Sequence, residues 1–92
     1  MQLYVITYDI PDNKRRKKVS DLLEGYGRRV QYSVFECRLE QHQYQDLKRR
    51  LQPRLRLPED HVRFYPLTDH TLAKVESWGG PGVLSPPGSL VV

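Results

Sequence analysis

Ninety-two residues and 10.9 kDa are enough for one domain and no more. With 15 Lys/Arg against 11 Asp/Glu, the chain carries a net charge of +4 and a pI near 9.4, and 38% of its residues are hydrophobic. The single cysteine, Cys37, excludes a disulfide framework and a cysteine-rich zinc site, and no apolar run approaches the ~20 residues of a membrane helix.

Residues 2–9, QLYVITYD, are rich in β-branched and aromatic side chains and read as a strand. Alternation puts Leu3, Val5 and Thr7 on one face and Tyr4, Ile6 and Tyr8 on the other. Both faces are largely apolar, so each needs a cover: helices on one side and a second subunit on the other. The start lacks a basic segment followed by a small-residue cleavage site, so a cytoplasmic chain without a signal peptide is expected. Ile10-Pro11-Asp12-Asn13 is a turn, and Asp12 or Asn13 caps the helix that follows. Val19, Leu22, Leu23 and Tyr26 form its apolar stripe, and Gly25 and Gly27 end it.

Residues 28–39 lack helical spacing and exceed one ordinary strand, which predicts two strands with a reversal near Tyr32-Ser33. After it, Phe35, Cys37 and Leu39 face one way, and Val34, Glu36 and Arg38 the other. Tyr44, Leu47 and Leu51 mark a second amphipathic helix over 41–52, limited by Pro53. Residues 60–67 alternate as a strand, and 72–78 are expected to form a short last one. Residues 79–92 hold four Gly and three Pro and read as a flexible tail, leaving 1–78 as the folded domain. The order is βαββαβ plus one strand, an α+β, ferredoxin-like architecture with both helices on one side of an antiparallel sheet. A chain this short buries only ~60–70% of its unfolded surface, so a homodimer is expected.

The charge is uneven. Residues 1–56 hold 13 basic and 7 acidic residues, and the remainder 2 and 4. A basic first half suits a polyanion. Lys14, Arg15, Arg16, Lys17 and Lys18 crowd the first turns of the first helix, the end where cations are unfavourable for the helix itself. The ordinary reading of a charge run is a solvated face. At this end of a helix, cations and free N–H groups instead suit phosphate, and Arg28 and Arg29 extend the patch. Asp9 closes an otherwise apolar strand. It either bonds the turn's N–H groups or serves as a hard-metal ligand, which one carboxylate does poorly and two across a dimer axis do better. His42, His61 and His70 lack ligand spacing, and Cys37 reads as packing.

The segments YVITYDIPDNKRRKKVSDLL, GRRVQYSVFECRLE and VRFYPL together resemble the CRISPR-associated protein two family over roughly residues 1–78. The resemblance implies a ferredoxin-like homodimer whose last strand pairs with the other subunit's sheet. It implies a metal-dependent endonuclease acting on single-stranded RNA or double-stranded DNA, with Mg²⁺ or Mn²⁺ as cofactor and the CRISPR integrase subunit as partner. The family's metal-binding aspartate falls on Asp9, with Tyr8 beside it as a catalytic position. Functional basic positions fall on Arg16, Lys18 and Arg29, and supporting positions on Ser33 and Phe35. The competing readings are a non-catalytic scaffold bridging integrase dimers and a toxin-type ribonuclease on the same fold. A single-strand RNA module ranks lower, because Tyr32 and Phe35 lack the required aromatic spacing.

Overall fold

The computed structural model describes residues 1–80, 82 and 83. Its elements run β1 (Gln2–Asp9), α1 (Asn13–Glu24), β2 (Arg28–Gln31), β3 (Val34–Leu39), α2 (Gln41–Leu51), a 3-10 turn (Gln52–Arg54), β4 (His61–Leu67) and α3 (Asp69–Leu72). The strands form one antiparallel sheet in the order β2-β3-β1-β4. This is the expected βαββαβ arrangement.

Local chemistry sets the boundaries. Asp12 caps α1, its carboxylate accepting from the Arg15 backbone N–H at 2.9 Å. Gln43 returns its side chain to the Glu40 N–H, and the reciprocal bond completes a capping box at the start of α2. Pro53 ends α2 by converting its last turn to 3-10 geometry. Gly27 precedes β2 at a point where nothing larger fits: a Cβ there would lie 2.3 Å from the Glu36 carbonyl oxygen and 2.4 Å from Cys37 Sγ.

The core lies between the sheet and the two long helices. Tyr4, Ile6 and Tyr8 of β1 and Phe35, Cys37 and Leu39 of β3 meet Val19, Leu22 and Leu23 of α1 and Leu47 and Leu51 of α2. Tyr4 stacks on Tyr44 at 3.9 Å between ring centres, and Phe64 meets Tyr44 edge-on at 5.9 Å. Cys37 is core packing, and burial, with the nearby Glu36 charge, pushes its thiol up to about 12. The two faces of β1 divide as alternation requires. Val5 and Thr7 lie half-buried on the face away from the helices, opposite Glu36 and Val34 of β3 and Tyr65 and Arg63 of β4.

The expected last strand is corrected. Residues 72–78 form no strand: Thr68 accepts from the Thr71 N–H and starts the single turn α3, which takes in Leu72. Among the described residues, those after it join no ladder of the four-stranded sheet. Of the tail, residues 81 and 84–92 lie outside the described residues, whereas the Gly82 carbonyl accepts from Arg28 Nη2 at 2.7 Å. Among the described residues no helix is long and apolar enough to cross a membrane. β4 is an edge strand with Pro66 opposite Tyr4.

Candidate nucleic-acid interface and metal ligand

The five cations of α1 go to different places. Arg15 turns inward, giving Asp60 two hydrogen bonds, from Nε at 2.8 Å and Nη2 at 3.0 Å. Asp60 is buried at 1% exposure and also accepts from the Arg56 N–H at 2.8 Å. The Arg15 guanidinium thus holds the Asp60 carboxyl below its usual range. Lys17 pairs with Asp21 at 3.0 Å on the exposed face. Arg16 reaches the Ile10 carbonyl at 2.7 Å, contacts the Asn13 side-chain oxygen, and lies 5.8 Å from the centre of the Tyr32 ring. Lys14 and Lys18 are exposed, and neither has an ion pair among the described residues.

Arg16 shares a pocket of about 420 Å³ with Tyr8, Lys17, Arg29 and Tyr32. The hairpin tip organises it. The Tyr32 carbonyl accepts from the Tyr8 hydroxyl at 3.2 Å and from Arg29 Nη1 at 2.7 Å. Arg29 lies 5.2 Å from the Phe35 ring centre, with Glu24 at 3.7 Å. Burial raises the Tyr8 phenol above its ordinary value, opposed by the charges of Arg29 and Arg16. The phenol therefore stays protonated at neutral pH and acts as a donor. Ser33 contributes its backbone carbonyl, which accepts the Tyr8 N–H at 3.1 Å, while Phe35 is fully buried beneath the pocket. Two guanidiniums, an ammonium and a phenol around a small open pocket suit a phosphate group.

Asp9 and Arg28 lie elsewhere. Asp9 follows Tyr8 in the strand and so belongs to the opposite sheet face, its side chain exposed and with no hydrogen bond or ion pair among the described residues. The turn role is not taken by Asp9. Arg28 also lies on that face, bridging Glu36 at 3.1 Å. The expected site is thereby divided. Tyr8, Arg16 and Arg29 converge on the helix side of the sheet, and Asp9 stands at the same end of β1 on the side away from the helices.

The family model described as CRISPR associated protein Cas2 matches residues 1–75. The chain belongs to the Cas2 family. A Synechocystis relative, the CRISPR-associated endoribonuclease Cas2 3, is 58% identical over 92 residues and is covered completely, as is this chain. A Thermus thermophilus CRISPR-associated endonuclease Cas2 2 is 50% identical over 66 residues, 72% of this chain and 73% of the relative. Among solved structures, Cas2 of Streptococcus pyogenes superposes with a TM-score of 0.74 at 35% identity, covering 84% of this chain and 99% of the other. A chain from a partial Cas6-RT-Cas1–Cas2 complex gives 0.81 at 31% identity with complete coverage of both. All the candidate site residues fall inside the stretch that matches the Cas2 model.

Two residues important to this Cas2 architecture carry no clear signal in the sequence. Tyr32 is visible there only as a turn residue, yet its carbonyl gathers Tyr8 and Arg29 and its ring, 71% exposed, lies beside Arg16. Asp60 sits just before β4 with no marker of burial. Its partner lies 45 positions away, a separation at which charge complementarity leaves no local pattern.

Proposed function

We propose that this chain is a metal-dependent endonuclease that also binds duplex DNA in CRISPR adaptation, working in the cytoplasm as a homodimer. The observation that carries this reading is Asp9, an exposed carboxylate at the rim of the sheet face that no helix covers. The names of the Synechocystis and Thermus relatives support nuclease chemistry. The donor chemistry fits Mg²⁺ or Mn²⁺, since a carboxylate with water ligands suits a hard cation. Among the described residues of one chain no three His, Cys, Asp or Glu side chains gather, and in this reading Asp9 of a second copy supplies a further carboxylate. Val5, Thr7 and Tyr65 share the face away from the helices with Arg28, Glu36 and Arg63, a mixed apolar and charged surface on which that copy would dock at the Asp9 end.

Asp9 would hold the cation, whose chemistry there would be to polarise a phosphate and to acidify a water molecule. The chain's own residues do the rest. Arg16 and Arg29 neutralise backbone phosphates, Tyr8 donates a hydrogen bond, and Lys14 extends the field to solvent. The complex containing Cas1 supports an integrase of that kind as partner.

The placement of Asp9 and the arginine pocket on opposite sheet faces favours one second reading, a scaffold that binds duplex without cutting it. Asp9→Asn separates the two. The nuclease reading expects Mg²⁺-dependent, chelator-sensitive cleavage by the parent protein and none by the variant, with the dimer mass by light scattering and duplex affinity retained. Equal cleavage by both proteins refutes the role of Asp9, and no cleavage by either leaves the scaffold.

A further inference from the structure

We propose that the groove between α1 and the end of α2 is a second binding site for the phosphate backbone of a nucleic-acid duplex, built from Lys18, Arg50 and Arg54. This deepens the proposed function and rests on it. The groove has a volume of about 560 Å³ and is lined by those three cations with Asp21 and Leu22. It lies on the other flank of α1 from the Arg16 pocket, so the two cationic sites straddle one helix.

The two guanidiniums are held in place. Arg50 Nη1 donates to the Tyr26 hydroxyl at 2.8 Å, and its guanidinium lies 5.7 Å from that ring's centre. Arg54 Nη1 donates to the Arg50 carbonyl. The nearby acids are otherwise engaged: Asp21 with Lys17 at 3.0 Å, and Asp46 with the Tyr26 hydroxyl at 2.7 Å and with Arg49. None of the three groove cations has an ion pair among the described residues, so against the one lining carboxylate, Asp21, the groove keeps a net positive charge. Basic residues in the last turn of α2 suit its dipole, which accounts for Lys48, Arg49 and Arg50 but not for the meeting of Arg50 in one groove with Arg54 from the following turn and Lys18 from another helix.

The lining also selects the kind of nucleic acid. Single strands are gripped by stacking bases on exposed rings. None of the groove-lining residues is aromatic, and the Tyr26 ring nearby is occupied by Arg50. Fixed cations without a stacking platform read a phosphate backbone and not bases.

The test is duplex binding across a salt series. Each neutralised phosphate contributes about 0.9 to the slope of log K against log salt. Arg50→Ala with Arg54→Ala is expected to lower the slope of the parent dimer by about 2 per chain engaged, equally for unrelated sequences. Lys18→Ala with Arg54→Ala leaves the Tyr26–Arg50 bond intact and is expected to give the same decrease, which separates weaker phosphate binding from a disturbed helix. Arg49→Ala with Lys74→Ala removes equal charge outside the groove and is expected to keep the parent slope. An unchanged slope in both groove variants, or an equal fall in the control, overturns the site. A parent protein that binds no duplex overturns both this site and the duplex-binding part of the proposed function.

Discussion

Gly27→Ala tests how closely β2 is tied to the site. The added Cβ would meet the Glu36 carbonyl oxygen at 2.3 Å, Cys37 Sγ at 2.4 Å and Cys37 Cα at 2.8 Å. Two of these atoms are backbone and the third is a fully buried thiol, so no flexible side chain can swing away. Ordinary contact requires β2 and β3 to separate by about 1 Å, a rearrangement of a close-packed interior. Overpacking of this kind costs about 1–3 kcal/mol. Restricting the unfolded chain returns about 0.4–1 kcal/mol, so a net loss of about 1–2 kcal/mol is expected. For a domain of this size that lowers Tm by about 5–15 °C, measured by circular dichroism at fixed protein concentration. Because Arg29 lies two residues on, a shift of β2 also draws its guanidinium off the Tyr32 carbonyl, so phosphate affinity should fall alongside stability. Adding Cys37→Ala removes the sulfur clash but not the carbonyl clash, so its effect is expected to be non-additive and the rescue partial. A single variant as stable as the parent, or complete rescue by the second change, refutes the reasoning.

Other outcomes follow from the same geometry. Replacing Arg16 or Arg29 with Ala should weaken binding to unrelated duplexes about equally and lower the salt slope by about 1 for each phosphate left without its guanidinium, checked by fluorescence anisotropy. The depressed Asp60 carboxyl contributes stability that is full above the unfolded carboxylate pKa and is lost as pH falls through the lower folded value. Acid unfolding followed by circular dichroism should accordingly be less steep below about pH 4 in Asp60→Asn, itself a less stable protein at neutral pH. With its thiol raised to about 12, Cys37 should resist a thiol reagent at about pH 8 in the native protein and react on addition of denaturant.

Much of this molecule is legible because its signals are local. The two apolar faces of β1, the Asp12 cap and the break at Pro53 each arise within a few residues and survive folding unchanged. The separation of Arg28 from Arg29, and of Asp9 from Tyr8, is present in the period of the strands but masked when adjacent charges are taken as one patch. Residues 72–78 mislead because Val75 and Trp78 suit a strand, whereas a ladder needs a neighbour and Thr68 directs the chain into a helical turn first. The Arg15–Asp60 pair joins two distant segments through tertiary contact alone. It is the reason that a cation from the basic run serves the interior instead of the surface.

Pro66 governs how far the sheet can grow. Lacking an N–H, it cannot exchange a bond pair with Tyr4, so its nitrogen faces away from β1 toward the free edge. By alternation, Val62 and Phe64 offer outward donors on the same edge and Pro66 offers none. An incoming strand therefore finds two rungs and then a gap. That is enough to accept a short, register-locked segment of another molecule, and too little to template the open-ended stacking that leads exposed edges to fibrils.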